Sequence, residues 1–303
     1  MHATVNGRKG SWAVVRAHRP SPAFPQHLRA LYERFAFDRS LAEDPISSIR
    51  RLAGDPLRAE VAAIFGATLA IGNTTAIRGA IERLADLVDR DVARLVDPSW
   101  SRERKRRLRS FQHRWIRGDQ LDHLASVLTS YYAEHRSLES TFLAGWEKGG
   151  FVAGLDALAR TLRGRGRAPP GYRALFPSPL DGPGSPCKRL TLFVRWMVRD
   201  GYPDFGCWHR VPTGELRIPL DQHVHWIAYH LGLTSRRTRS WGAVEEVSEA
   251  LRRIDPVDPV KYDFVLCHTG VSGDCPKRRD IAVCGPCSVR PDCLLWRNKG
   301  VTV

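Results

Sequence analysis

Four cysteines near the end of the sequence constrain the fold more than any other feature. Cys275, Cys284, Cys287 and Cys293 are separated by eight, two and five residues, so one Cys-x-x-Cys pair has a single cysteine on each side. Soft thiolates this close together are the ligands that iron–sulfur clusters and structural zinc ions require. Zinc ribbons usually contain two separated Cys-x-x-Cys pairs. The spacing therefore favours a [4Fe–4S] cluster, with zinc as the alternative cofactor.

The charge balance indicates a polyanionic partner. The 303 residues include 47 Lys and Arg against 32 Asp and Glu, a formal net charge of +15. Nucleic acid is the first partner that such a balance predicts, and an anionic membrane surface is the second. A protein that is merely arginine-rich is the alternative.

The cysteines and the termini indicate the compartment. The first 20 residues lack the apolar segment of an export signal. Seven cysteines without such a signal favour reduced thiols and a metal group, hence the cytoplasm. No apolar stretch reaches the length of about 18 residues that a membrane-spanning helix needs, so we expect no membrane association.

Helical periodicity dominates the sequence and predicts an all-α protein. Alternation typical of strands occurs only at 215–219, which is too short to predict a strand. The predicted helices are 26–37, 57–71, 74–88, 119–133, 137–148, 152–162, 188–199, 221–233, 241–254 and 259–270.

Two further motifs precede the cysteines. A Gly/Pro-rich turn at 181–186 leads into the helix 188–199, whose first backbone N–H groups are suited to a phosphate. Lys188 lies in the first turn, where a cation opposes the helix dipole; most lysines in that position are simply solvated. Asp221 is the first residue of the predicted helix 221–233 and is predicted to be its N-cap, which is compatible with a catalytic role.

These motifs, in this order, resemble the helix-hairpin-helix DNA glycosylases, in particular the iron–sulfur branch around endonuclease III and the adenine glycosylases. Residues 183–188 resemble the hairpin Leu-Pro-Gly-Val-Gly-x-Lys, and residues 220–223 resemble the motif Val-Asp-Thr-His. The helix 262–270 before Cys275 is similar to its counterpart. The likeness covers about residues 50–303. The runs 177–182 and 188–193 also resemble a widespread bacterial family of unassigned function.

The resemblance implies two helical domains, a six-helix barrel-like domain and an iron–sulfur cluster domain, with the active site in the cleft between them. On this basis residues 1–50 form an N-terminal segment that packs on the cluster domain. Residues 51–204 form the helical domain that ends in the helix-hairpin-helix, and residues 205–303 form the cluster domain.

The resemblance also implies an activity. A monomeric, nucleoid-associated enzyme would flip a damaged base out of double-stranded DNA and excise it, with an oxidised purine such as 8-oxoguanine as the first expectation. Lys188 would attack the sugar and form a Schiff base, giving AP lyase activity, while Asp221 accepts the lysine proton and stabilises positive charge on the sugar. The alternative is a non-catalytic or monofunctional protein of the same fold that binds lesions or DNA structure.

The DNA contacts that the resemblance and the charge pattern suggest form a larger set. Asn73 would fill the vacated base stack, or else simply cap a helix. The basic runs 102–109 and 163–167 would contact phosphates, or else form solvated surfaces. Trp208, His209 and Tyr262 are candidates for the base pocket, and Tyr262 is equally plausible as a core residue. The predicted DNA-binding residues are Asn73, Gly182, Gly184, Arg189, His223, Lys277, Arg278 and Arg279.

Three departures from the family pattern stand out. Pro186 occupies the position of the second hairpin glycine, so a backbone donor is absent there. The first cysteine gap is longer than the usual family gap. Lys188 and Asp221 are 33 positions apart, a spacing nearer that of the archaeal 8-oxoguanine glycosylases.

Overall fold

The computed structural model describes residues 20–182 and 184–297, and helices provide nearly all of their regular structure, so the all-α prediction is confirmed. The α-helices of these residues are α1 (Phe24–Glu33), α2 (Phe37–Glu43), α3 (Pro45–Arg50), α4 (Pro56–Leu69), α5 (Thr74–Leu87), α6 (Ser101–Leu108), α7 (Gly118–Tyr132), α8 (Glu139–Arg163), α9 (Lys188–Val198), α10 (Gln222–His230), α11 (Trp241–Ile254), α12 (Tyr262–Val271), α13 (Ile281–Cys284) and α14 (Leu294–Arg297). Among the described residues, no helix is both long and apolar enough to cross a membrane.

A short antiparallel hairpin, which the sequence analysis missed, lies between α6 and α7. Its strands are β1 (Gln112–His113) and β2 (Ile116–Arg117), with Gln112 opposite Arg117 and His113 opposite Ile116. Each strand has only two residues, so no alternating pattern was long enough to reveal it.

Contacts divide the chain into two compact units. The larger unit comprises Ala36–Leu220 and Ser240–Val260, and the smaller one comprises the residues up to Phe35, Asp221–Arg239 and the chain from Lys261 onward. Each unit is therefore assembled from segments that are separated in sequence. The segments 1–50, 51–204 and 205–303 remain sequence-based predictions, and residues 1–19 lie outside the described residues.

Local capping and glycine chemistry explain most helix boundaries. Asp55 accepts the Arg58 N–H at 2.9 Å and so caps α4, next to Pro56 in the first helical position. The predicted helices 137–148 and 152–162 correspond to α8, which is interrupted where Gly149 and Gly150 leave the helical conformation. Gly150 has a φ of 67°, which only glycine adopts without strain.

The larger unit is built around α4, which packs on α3 and α9 and is buried on nearly all sides. Its one buried charged residue, Glu60, accepts hydrogen bonds from Tyr132 Oη at 3.0 Å, Ser137 Oγ at 2.6 Å, the Leu138 N–H at 2.5 Å and Trp208 Nε1 at 3.2 Å. Burial raises the pKa of the Glu60 carboxyl despite these donors. Trp208, a candidate for the base pocket, is 1% exposed and instead belongs to this core.

The smaller unit is centred on α12, which packs against α10 and α1. Tyr262 is fully buried and meets the ring of Tyr32 edge-on, with centroids 5.7 Å apart, so this second pocket candidate is also a core residue. Near the last cysteine, Asp292 accepts the Ser21 N–H at 2.8 Å and lies 2.7 Å from His27 Nδ1. Burial opposes ionisation of Asp292, but its bonds to His27 and Ser21 lower its pKa overall.

Candidate functional site

The four cysteines of the C-terminal loop line one cavity in the smaller unit. Cys275, Cys284, Cys287 and Cys293 border a space of about 50 Å³, and the rest of its wall is mostly apolar, with a few polar side chains such as Asp274 and Arg290. This is several times the space that a single water molecule requires, about 10–15 Å³. In the described part of the chain, no three histidine, cysteine or carboxylate side chains are arranged to hold a single metal ion.

The environment of these thiols opposes their ionisation. Burial raises the pKa of Cys275, Cys287 and Cys293, and the neighbouring thiols raise it further; the pKa of Cys293 is about 12. A cysteine binds metal as a thiolate, so four thiols around one desolvated space need a cationic centre if they are to ionise together. The donor set therefore fits a four-thiolate cofactor.

Backbone turns hold the cysteine loop in place. The N–H of Cys275 donates to Thr269 O at 2.9 Å, and the N–H of Cys287 donates to Cys284 O at 3.2 Å. Between the first two cysteines, Lys277 adopts a left-handed conformation with a φ of 58°. Such a residue reverses the chain direction locally, which brings the cysteines on either side of it toward one another.

The three basic residues of this loop are exposed but differ in their contacts. Lys277 Nζ lies 3.3 Å from His223 Nδ1. Arg279 Nε donates to the carbonyl of Leu295 and so braces the loop internally. The side chain of Arg278 is 71% exposed and lies 4.0 Å from the Asp280 carboxylate, at the limit of an ion pair, so its guanidinium remains accessible to an anion.

Asp221 is the N-cap of α10, which confirms that prediction. Its Oδ1 accepts the N–H groups of His223 at 2.7 Å and Val224 at 2.8 Å. The second carboxylate oxygen, Oδ2, lies 3.5 Å from the Cys267 thiol, which donates to it. The carboxylate is half-buried and held at both oxygens, so its position is well defined. Cys267 was not predicted as a site residue, because nothing in the sequence places a cysteine of α12 beside the cap of α10.

His223, a predicted DNA contact, is half-buried in the same unit. Its Nδ1 lies 2.8 Å from the carbonyl oxygen of Gly270. A Cβ atom on Gly270 would come within 2.8 Å of the His223 Cβ, so the two helices approach closely only because residue 270 is glycine. The imidazole is therefore positioned by α12.

Lys188 is the first residue of α9. The preceding Cys187 has a left-handed φ of 49° and provides no side-chain cap, so within the described residues the first N–H groups of α9 are left without a capping side chain. The half-buried Lys188 side chain reaches across to α4, where Nζ donates to Ala70 O at 3.4 Å. The left-handed residue of this turn is thus Cys187, one position after Pro186.

The turn that Lys188 contacts, residues 70–73, joins α4 to α5. Gly72 has a φ of 109°, a conformation that requires glycine. Asn73 is exposed and caps α5 by accepting the Ala76 N–H at 2.8 Å, so its predicted capping role is confirmed. Two residues far apart in sequence, Lys188 and Asn73, therefore lie at the same turn.

The β1–β2 hairpin lies against this turn as well. The ring Nε2 of His113 is 2.9 Å from Ile71 O. The Arg114 guanidinium covers Gly72 so closely that a Cβ on Gly72 would lie 3.0 Å from Arg114 Nε. The hairpin tip, which carries Trp115, is thereby fixed beside residues 70–73.

Trp115 is the functional candidate that sequence reasoning missed. Its side chain is 43% exposed, and the guanidinium of Arg189 lies 5.1 Å from the ring centroid. Arg189 also donates to Leu175 O at 3.1 Å, and burial lowers its pKa to about 10. A tryptophan between arginines in a short turn, with Arg114 before it and Arg117 two positions after it, was the available signal.

The remaining predicted residues occupy the turn before α9 and the loop after it. Gly182 has a φ of 124°, and Gly184 is exposed, with open space around both. Pro183, part of the predicted hairpin, lies outside the described residues. His209 is exposed, unlike its buried neighbour Trp208.

The candidate residues fall into two sets. Lys188, Arg189, Asn73 and Trp115 belong to the larger unit, whereas Asp221, His223 and the four cysteines belong to the smaller one. The approach of Asp221 to Lys188 stays a prediction from the sequence.

Comparison with known proteins gives a family but no activity. No curated protein and no solved structure matches the chain. Residues 44–272 match the profile of a family described as "Protein of unknown function (DUF2400)". The match includes both Lys188 and Asp221 and ends before Cys275. Since it spans most of the sequence, the chain belongs to this DUF2400 family of proteins of unknown function.

Proposed function

We propose that this protein is a DNA repair glycosylase with AP lyase activity, which excises a damaged base, an oxidised purine such as 8-oxoguanine in the first instance, from double-stranded DNA. The observation that carries the proposal is the grouping at residues 70–73. The primary amine of Lys188, the exposed Asn73 and Trp115, whose ring packs against the Arg189 guanidinium, all lie at this turn. The chain has a net charge of +15. An amine nucleophile and a stacking aromatic at the same turn suit the excision of a flipped base through an imine.

In the proposed reaction, Lys188 acts as a neutral amine. Its Nζ attacks C1′ of the damaged nucleotide, the bond from C1′ to the base breaks, and the base leaves with the electron pair and takes up a proton. Nζ loses its protons as the sugar ring opens to an imine. Removal of a C2′ proton then expels the 3′ phosphate by β-elimination, and water hydrolyses the imine.

Asp221 would accept the proton from Lys188 and stabilise the positive charge that develops on the sugar. Its support from the His223 and Val224 N–H groups and from the Cys267 thiol suits this role. Those donors keep the carboxylate in one orientation. The proposal follows the sequence resemblance in placing the flipped base in a cleft between two helical domains.

We further propose that Cys275, Cys284, Cys287 and Cys293 hold a [4Fe–4S] cluster. The cavity that these cysteines border and their spacing in the sequence support the proposal. A zinc ion, which needs all four sulfurs at about 2.3 Å, is the alternative. When bound, the iron atoms supply the positive charge that lets the four thiols ionise. The same ligands would then fix the loop that carries Arg278 for contact with phosphate.

Sodium borohydride trapping tests the proposal, since it reduces an imine to a permanent link between protein and DNA. The wild-type chain is incubated with short duplexes that each carry one lesion, and we expect a covalent adduct with at least one of them. Lys188→Arg is the matched control, because arginine retains the cation and a donor for Ala70 O but is not an amine nucleophile. An adduct that forms equally well with Lys188→Arg would exclude Lys188 as the nucleophile.

The bond from Lys188 to Ala70 favours one alternative. An amine that donates to a carbonyl is directed away from a substrate, so the enzyme would then be monofunctional, with Asp221 activating water. In that case the wild type releases free base without a trapped adduct, Lys188→Arg retains release, and Asp221→Asn abolishes it. A chain that binds lesions yet releases no base under any condition is the non-catalytic alternative.

For the other properties, we propose a monomer in the cytoplasm, associated with the nucleoid. The excess of basic residues and the seven cysteines support that setting.

A further inference from the structure

The two basic runs of the sequence line a single groove in the larger unit. Arg102, Lys105, Arg106 and Arg109 from the region of α6 face Arg167 and the loop that ends at Pro170 across a space of about 840 Å³. The spacing of three, four and seven residues places the four α6 residues along one side of that helix. Sequence reasoning identified both runs but had no means of placing one opposite the other.

Hydrogen bonds join the loop at Pro170 to the start of α7 and so fix one side of the groove. Gln120 Nε2 and an Arg117 guanidinium nitrogen donate to Pro170 O at 2.9 and 3.3 Å. They fix the loop against the start of α7, and α7 in turn packs on α6. A Cβ on Gly118 would lie 1.6 Å from Leu108 O, so glycine is required where the two helices come together.

The acidic residues of the groove are already neutralised. Asp122 is paired with the buried Arg104, whose Nε donates to it at 2.8 Å, and Asp119 lies 3.1 Å from Arg117. Glu103, on α6, accepts from Arg106 and Arg107, which together lower the pKa of its carboxyl to about 2. The acids of this region are therefore not available to balance the remaining cations.

Four of the groove cations lack an acidic partner. Within residues 20–182 and 184–297, no carboxylate pairs with Arg102, Lys105, Arg109 or Arg167. Arg102 and Arg109 are seven residues apart, about 10 Å along a helix at about 1.5 Å per residue. That distance corresponds to roughly three nucleotides of one strand at about 3.4 Å each. These neighbouring unpaired cations repel one another, and an anionic chain bound along them would relieve that repulsion.

The groove lies near the Trp115 hairpin. Gly118 lines the groove and is three residues from Trp115, so their Cα atoms are at most about 11 Å apart. A cationic groove close to an exposed aromatic ring, here Trp115 with the Arg189 guanidinium against it, is a combination by which proteins hold one strand and stack its bases. The groove itself presents no exposed tryptophan, tyrosine or phenylalanine among its lining residues, which indicates contact with the backbone rather than with bases.

We infer that this groove binds the sugar–phosphate backbone of the DNA strand that extends from the base at Trp115. The inference rests on the proposed DNA function and adds to it a sequence-independent contact outside the reaction centre. The phosphates lie against Arg102, Lys105, Arg109 and Arg167, and the neutralised floor at Asp119 and Asp122 does not repel them.

The salt dependence of binding tests this inference. The probe is a short duplex with one tetrahydrofuran abasic analogue, which cannot form an imine, and its affinity is measured between about 50 and 200 mM salt. In the groove variant, Arg102, Lys105, Arg109 and Arg167 are all changed to Gln. We expect the slope of log affinity against log salt to decrease in magnitude by about 3.6, since four phosphate contacts are lost and each contributes about 0.9.

The matched control removes four other exposed cations of the larger unit, Arg39, Arg136, Lys148 and Arg210, also by change to Gln. It has the same net charge as the groove variant, and we expect its slope to change by less than about 1. Equal slopes for the groove variant and the wild type, or equal losses in the two variants, would overturn the inference. Thermal unfolding of all three proteins identifies any variant whose binding fails because it does not fold.

Borohydride trapping of the same variants separates this inference from the proposed activity. If the wild type gives neither an adduct nor free base with any lesion but the groove variant still loses its salt slope, the groove stands and the glycosylase proposal fails. If the wild type forms an adduct but the salt slope of the groove variant is unchanged, the activity stands and the groove inference fails.

Discussion

The Cys267 thiol donates to Oδ2 of Asp221 across 3.5 Å, while the other oxygen of that carboxylate caps α10. Asp221 therefore has a structural role that must be separated from any chemical one. The capping function is the reason that a simple alanine substitution would be uninformative, because it removes both roles together.

We predict that Asp221→Ala lowers the free energy of unfolding by about 1 kcal/mol, the usual cost of losing an N-cap. Asp221→Asn retains an oxygen for the His223 and Val224 N–H groups and should unfold within a few tenths of a kcal/mol of the wild type, roughly as N-cap preferences indicate. Urea denaturation measures both. In the base-release assay, the stable asparagine variant should be inactive. Full activity in Asp221→Asn would remove Asp221 from the mechanism.

Cys267 gives a second prediction. Cys267→Ser retains a hydroxyl donor for Asp221 Oδ2, whereas Cys267→Ala leaves that oxygen without it. We expect the alanine variant to release base several-fold more slowly than the serine variant, because the carboxylate has lost a donor that holds its orientation. Equal rates of base release for the two variants would show that the thiol only fills space.

The sequence predicted the helices well because capping and periodicity are local properties. The helix 241–254 was predicted with the bounds of α11, and the prediction 74–88 differs from α5 by one residue. Asp221 and Asn73 were recognised as caps for the same reason. A polar residue before an apolar helix satisfies the first N–H groups regardless of what packs around it.

Relationships between distant segments were beyond such reasoning. The contact of Lys188 with Ala70 and the stacking of Trp115 on Arg189 depend on how α4, α9 and the six-residue hairpin pack together. Hydrophobic periodicity does not predict how these distant segments pack against one another. Trp208 was misplaced for a related reason, since an aromatic residue in a loop is equally typical of a pocket and of a core, and only the bond to Glu60 decides between them.

Trp115 supports a prediction about affinity. Trp115→Ala should weaken binding to a duplex that carries the damaged base by about 1–3 kcal/mol, the range for stacking of one base on an aromatic ring. Trp115→Phe should retain most of the affinity, because the ring face remains above Arg189. Since the side chain is 43% exposed, we expect little change in unfolding free energy. Fluorescence anisotropy measures the binding, and equal affinity for Trp115→Ala and the wild type would contradict a stacking role.

The cysteines permit a prediction with internal controls. A protein with a [4Fe–4S] cluster is brown and contains about four iron atoms per chain. Serine at Cys275 or Cys293 should abolish that colour and lower the iron content. Serine at Cys187 or Cys207, which do not line the cavity, should leave both unchanged. Visible absorption and iron and zinc analysis of the purified proteins measure the effect. A colourless wild type that contains about one zinc per chain would replace the cluster with the alternative metal.

The attachment of the hairpin is predicted to depend on pH through His113. Burial lowers the pKa of this imidazole, and the neighbouring Arg83 and Arg114 lower it further, against the raising effect of its bond to Ile71 O. In the unfolded chain, His113 has a pKa of about 6.5, so below that pH the unfolded chain binds a proton that the folded chain does not. The contribution of neutral His113 to the free energy of unfolding is therefore complete above about pH 6.5, and it is lost as the pH falls toward the pKa of His113 in the folded chain.

His113→Gln isolates this contribution, since its amide nitrogen can still donate to Ile71 O but does not titrate. Urea denaturation at about pH 7.5 and about pH 5.5 should show a smaller loss of stability for the variant than for the wild type, on either side of the unfolded pKa near 6.5. The remaining loss in the variant comes from other histidines whose pKa burial lowers, such as His225 and His230.

Because His113 fixes the hairpin to residues 70–73, the wild type should also lose more DNA affinity than the variant over the same pH range. Parallel pH dependence in the two proteins would mean that His113 is not the titrating group that holds Trp115 beside Lys188.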